Sequence, residues 1–184
     1  MSLRPILVTD YDPAWPVTFE KLRKKIWPAV KGFAKSIEHV GSTAVPGLAA
    51  KPIIDMSIIV SSPAQTTRAV KGLASQKYEH LGDLGIQGRE AFRHPKGRPN
   101  HNLYVCLEGS LALVNHLAVR DYLRAHPEVV QRYGALKRRL AREFPHDINR
   151  YVEGKTDLLV GVLRQVGLSR DQLMAIKDVN RKLE

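Results

Sequence analysis

The chain contains a single cysteine, Cys106. That excludes an internal disulfide and disfavours a cysteine-rich metal site. Cys106 lies in an apolar, strand-like run, where a buried and inert thiol is the expected state. No apolar stretch approaches the roughly 18 residues of a membrane-spanning helix, so no membrane partner is expected. The opening residues, MSLRPILVTDYDP, lack the apolar core of a signal peptide, and a cytoplasmic protein is expected. Acidic residues are scarce: 18 Asp and Glu stand against 29 Lys and Arg, for a net charge of +11. Such an excess points to anionic partners, either nucleotides and other phosphate-bearing small molecules or nucleic acid. Aromatics make up only 7% of the chain. Few stand at stacking spacing, which makes nucleic acid the weaker of the two expectations. Nothing in the sequence speaks to oligomeric state.

What is present is patterned. At 184 residues with 43% hydrophobic content, the chain is long enough for one domain with a sizeable core. Asp12-Pro13 opens a helix, with Asp as cap and Pro in the first position. Trp15, Phe19, Leu22, Ile26 and Val30 give it one apolar face. A second helix runs from Ala64 to Gln76. Glycine-spaced residues 79–88 read as a loop with a short strand at 84–87, and Glu90–Arg93 as a further strand. HPKGRPN is a loop and Asn102–Leu107 a strand. Helices follow at about 113–125, 127–143 and 148–166, and a last one from Ser169 to Arg181. Arg132, Lys137, Arg138, Arg139 and Arg142 concentrate the basic charge in one of them.

The centre of the chain is SIEHVGSTAVPGLAAKPIIDMSIIVS, Ser36 to Ser61. Ile37–Val40 leads into the Gly41-Ser42 turn. Ile53–Val60 is an almost unbroken apolar run whose β-branched residues favour a buried strand. Asp55 interrupts that run. A carboxylate there is costly unless a positive or hydrogen-bonding group meets it, and this makes Asp55 the first candidate for function. The simpler role for Asp55 is a structural pair with Lys51 or an arginine.

Gly41-Ser42 and Asp55 resemble the nucleotidyltransferase signature of the polymerase-β-like superfamily. HVGSTAVPGLAAKPIID resembles more closely the GrpB family, members of which are also found fused to dephospho-coenzyme A kinases. The resemblance extends through GREAFR, HNLYV and HLAVRDYLRAHPE, then Tyr133 with Lys137 and Tyr151 with Lys155, over roughly residues 5–168. It implies an α+β fold: a small mixed sheet flanked by helices (about 1–110) and a C-terminal helical half (about 111–168). Residues 169–184 would form a helical extension. It also implies a Mg²⁺-dependent transfer of a nucleotidyl group from a nucleoside triphosphate to a small acceptor. The alternative is a non-catalytic nucleotide- or anion-binding module, conceivably linked to coenzyme A synthesis. A nucleic-acid binder is the third reading.

In the transferase reading Asp55 holds the metal and Lys51 lies near the phosphates. Gly41, Ser42 and Thr43 grip the triphosphate through backbone and hydroxyl groups. Arg89, Arg93 and Arg120 suit phosphate, and His101 is a general base, a metal ligand or a polar strand end. Tyr133 and Lys137, like Tyr151 and Lys155, are four apart and share a helix face, as a base-stacking and phosphate-holding pair or as core with a lysine at its rim. Two departures from the signature stand out. Residues two apart on a strand face one side, so the place of the second carboxylate is taken by Ser57. Where the family reads His-His-Leu-His, this chain has His101, Asn102 and Tyr104. Glu38, Glu90 and Glu108 are the possible substitutes for the missing carboxylate.

Overall fold

A computed structural model describes residues 5–181, with side chains described through Val179. The first helix, α1, spans Ala14–Val30 and buries Trp15, Phe19, Leu22, Ile26 and Val30, the five residues of its apolar stripe. Its cap is Pro13 rather than Asp12; the Asp12 carboxylate instead accepts a bond from the Ala14 N–H at 2.8 Å. Strand β1 (Ser36–Val40) ends at Gly41, whose φ of 70° starts a single 3₁₀ turn, Ser42–Ala44. Strand β2 (Ile54–Val60) follows, then helix α2 (Pro63–Ser75). Three strands come next: β3 (Glu79–Gly82), β4 (Arg89–Arg93) and β5 (His101–Leu107). The strand expected at 84–87 is absent, and β3 lies earlier. Its residues are exposed or half-buried at the sheet edge, so no buried alternation marks it in the sequence.

The helical half comprises α3 (Leu111–Ala125), α4 (Pro127–Glu143), α5 (Ile148–Gln165) and α6 (Arg170–Arg181). Pro127 opens α4 at a position where the missing N–H costs nothing. Ser110 and Asp147 cap α3 and α5 by accepting N–H bonds.

The five strands form one mixed sheet in the order β1-β2-β5-β4-β3, with β2 and β5 parallel and the other pairs antiparallel. Register decides what each face does. Met56, Ile58, Leu103 and Val105 join the buried cluster built with α1 and α2. Their neighbours Asp55, Ser57, Asn102 and Tyr104 point to the other face, and Asp55 lies level with Asn102 across the parallel pair. That second face is covered by the helical half. Helix α4 approaches through Val130 and Tyr133, which pack with Val45 and Leu48 from the loop after β1. Helix α6 is held on α5 by Leu173 and Ile176 against Val160 and Leu163.

A cleft of one carboxylate and three lysines

Between the face of the sheet covered by the helical half and α4–α5, near the starts of β2 and β5, lies a cleft of about 310 Å³. Asp55, Asn102 and Tyr104 form its sheet side, Ser42 and Lys51 enter from the loops, and Lys137, Tyr151 and Lys155 come from α4 and α5. Asp55 accepts a 2.7 Å hydrogen bond from the Asn102 side-chain amide. Gly41 is pressed against the same carboxylate: a Cβ at position 41 would fall 2.2 Å from Asp55 Oδ2. Together with its positive φ, this leaves glycine as the residue that fits. The glycine of the signature therefore makes room for Asp55 itself.

The lysines stand on tyrosine rings. Lys137 Nζ is 4.5 Å from the Tyr133 ring centre, and Lys155 Nζ is 4.5 Å from that of Tyr151. Lys51 Nζ lies 6.0 Å from the Tyr151 ring. Tyr133 and Tyr151 are 4% and 2% exposed, so neither offers an open face to a base. They are core residues that carry the ammonium groups on their rings. Lys137 is itself 2% exposed, and its Nζ has no hydrogen-bond partner among the described residues. No ion pair within 4.0 Å joins Asp55 to any of the three lysines.

Electrostatics follow from that crowding. Burial, then the proximity of Lys155, lowers the Lys137 pKa well below the usual lysine value. Lys155 is lowered to about 8 by burial and by repulsion from Lys51, with Asp55 opposing. Lys51 is lowered by burial, again against the pull of Asp55. Burial raises the Asp55 pKa, while the Asn102 bond and the three lysines hold it down. The cleft thus gathers more positive than negative charge and holds its ammonium groups in a strained state that an anion would relieve.

A resident magnesium ion requires several hard oxygen ligands. The cleft offers one carboxylate, with one oxygen already bonded to Asn102. Ser57 is fully buried and bonded to His116 Nδ1 at 3.0 Å, so it does not face the cleft as a ligand. Glu38 is held by Arg120, Glu90 by His80, and Glu108 by Lys35. Among the described residues no three His, Cys, Asp or Glu side chains gather into a metal-binding group. The three lysines oppose a further cation. These residues do not fit resident magnesium.

Several expected site residues have other positions and structural work. Thr43 is buried; its hydroxyl donates to the Ile53 carbonyl at 3.2 Å and meets His39 Nε2 at 3.0 Å. His101 points into the α1/α2 core, with Nδ1 against the Pro99 carbonyl at 2.6 Å and Nε2 against the Tyr78 hydroxyl at 2.8 Å. Burial lowers its pKa to about 4, which leaves a neutral structural histidine. Arg93 is exposed and paired with Glu79. Arg120 ties α3 to β1 through Glu38 and the His39 carbonyl. Arg89 sits beyond Tyr104, in a different cavity. In the sequence Asn102 and Tyr104 stand out only as departures from a family pattern. Their part in the site becomes evident once β5 is placed beside β2.

This arrangement defines a class. The sheet, with a glycine-serine turn beside a strand aspartate and helices closing over it, is nucleotidyltransferase-like. The particular family is set by sequence: the profile described as "GrpB protein" matches residues 5–165, and the chain belongs to that family. The UPF0157 protein YqkA of Bacillus subtilis is 34% identical over 84% of this chain and 45% of its own length. This chain therefore spans about half of that relative. A dephospho-CoA kinase of Mycolicibacterium paratuberculosis is 29% identical over 82% of this chain and 43% of its own length. The crystal structure of conserved protein GrpB from Enterococcus faecalis superposes with a TM-score of 0.77 at 31% identity, covering 94% of this chain and 98% of that one. The fold likeness reaches the Cid1 poly(U) polymerase with MgGTP bound, at TM-score 0.51 and 14% identity, over 73% of this chain and 44% of that one. No described helix is long and apolar enough to cross a membrane.

Proposed function

We propose that this cleft binds the phosphate chain of a nucleotide, and that it does so without a resident metal ion. The observation that carries the reading is Lys137: a buried ammonium with no hydrogen-bond partner, beside two further lysines and one carboxylate. Three lysines share the one Asp55 carboxylate, buried cations so under-compensated are costly, and a bound anion is the group that would complete them. The lysines would do the charge neutralisation that a carboxylate-held metal does elsewhere, and Ser42 would add a hydroxyl. A nucleoside triphosphate is the leading ligand because the fold is that of nucleotide-handling enzymes. In this reading the protein is a binding module rather than a magnesium-dependent transferase.

Transfer remains the second reading, favoured by the placement of Asp55 beside the Gly41-Ser42 turn. Thermal melting with a panel of nucleoside triphosphates, with and without Mg²⁺, separates the two. A ligand at a hundred times its Kd adds about 2.7 kcal/mol. For a chain of this size that is a shift of about 5–10 °C. The binding reading expects this shift without Mg²⁺ and its loss in Lys137→Met. A shift that appears only with Mg²⁺ and disappears in Asp55→Asn would support transfer instead. No shift with any nucleotide would remove both.

A further inference from the structure

A second cavity, of about 740 Å³, lies on the same face of the sheet, and Tyr104 borders both spaces. Its character is different. Leu84, Ile86, Leu107 and Leu111 supply apolar walls, and Ile176 and Val179 of α6 close one side. Among the described residues one cation lines it: Arg89, 9% exposed, with its guanidinium 4.8 Å from the Tyr104 ring centre. Arg89 Nε is buried and has no hydrogen-bond partner among the described residues, and the bond from its terminal nitrogens is a long one, 3.4 Å to the Asp83 carbonyl. No carboxylate among the described residues answers it. Glu108 borders the cavity but is bound to Lys35 at 2.6 Å. The N-terminal end of α3, from Ser110 to Ala112, borders the same space, and the N–H groups of Leu111 and Ala112 precede the first intrahelical bond.

We infer that this cavity binds an organic anion with an apolar body, an aryl or alkyl carboxylate, whose head group pairs with Arg89 and the start of α3. The apolar walls would take the body and the arginine fork would take both carboxylate oxygens. Among the described residues Arg89 is the one cation lining this cavity, which suits a single carboxylate better than the phosphate chain proposed for the neighbouring cleft. This also gives α6 a task. It lies beyond residues 5–165, the part matched by the family, yet it walls the cavity and so sets which body fits.

The inference does not depend on the phosphate cleft, and one calorimetric series tests it. The full chain is titrated with 3-phenylpropionate and with the uncharged 3-phenylpropanol. The acid is expected to bind about tenfold or more tightly than the alcohol. Ala175, exposed on α6 at the cavity's edge, is replaced in Ala175→Trp to fill the space without disturbing the core. That variant should weaken acid binding about tenfold or more. Arg89→Met should erase the preference for acid over alcohol, while Lys137→Met should leave it unchanged. Absence of acid binding to the wild type would overturn the inference. So would an unaltered affinity in Ala175→Trp, whether or not Arg89→Met folds.

Discussion

His101 and Lys137 are equally buried, at 2% exposure each, and they serve opposite sides of one sheet. His101 meets a carbonyl and a hydroxyl, and burial keeps it neutral. Lys137 lies on the face of a tyrosine, and its Nζ has no hydrogen-bond partner among the described residues. The α1/α2 side, where His39 likewise stacks on Phe19 and bonds Thr43, satisfies its buried polar groups internally. On the helical side, two cations among the described residues have a nitrogen short of a hydrogen-bond partner, Lys137 and Arg89. Burial alone therefore does not mark a functional residue in this protein. In the proposed reading an under-partnered charge is the better mark, because folding alone does not favour it.

Breaking the satisfied side should give the largest effect on stability. His101→Ala removes two buried hydrogen bonds and opens a void, at a cost of about 2–4 kcal/mol. Urea unfolding should show that loss while nucleotide affinity of the folded fraction stays unchanged. Lys137→Met should act in reverse. Removing an unpaired buried ammonium stabilises the free protein by about 1 kcal/mol or more, and phosphate affinity falls about tenfold or more. A variant that lost both stability and binding would contradict the contrast.

The pH dependence sharpens it. Lys155 titrates near 8 in the folded protein and near 10.5 when unfolded. Between those values the unfolded chain binds more protons, so stability of the free protein should rise as pH increases through that window. A bound anion favours the protonated lysine, so phosphate affinity should fall over the same window. Melting curves and titrations across it would check both signs. The smallest effect belongs to a surface pair: Arg93→Gln breaks an exposed bridge to Glu79 and should change stability by less than about 1 kcal/mol.

Much of the fold is legible in the sequence, for identifiable reasons. The α1 stripe and the apolar run around Asp55 carry strong local periodicity, and they form the helix and strand expected. Lys51, Lys137 and Lys155 are all candidates on sequence grounds, and the fold brings them to Asp55. Lys137 carries a further signal: it falls among Val130, Tyr133, Gly134 and Leu140, the buried face of α4. What is not legible depends on distant partners. Arg120, Arg93 and His101 are indistinguishable from site residues until Glu38, Glu79 and Tyr78 arrive from elsewhere in the chain. Arg89 lines a cavity of its own because residues 84–88, the start of α3 and α6 come together around it from distant parts of the chain. Edge strand β3 escapes a reading by pattern because an edge needs no buried alternation.

Asp55→Asn tests the central claim most directly. The substitution keeps an oxygen for the Asn102 bond and removes the single negative charge among the lysines. Tripolyphosphate would be titrated into wild type and variant at about pH 7, in the absence of divalent ions. If the lysines form a metal-free phosphate site, the variant binds several-fold more tightly, because the carboxylate that repels the phosphates is gone. Weaker binding in the variant, or binding in the wild type that appears only when Mg²⁺ is added, would contradict the account.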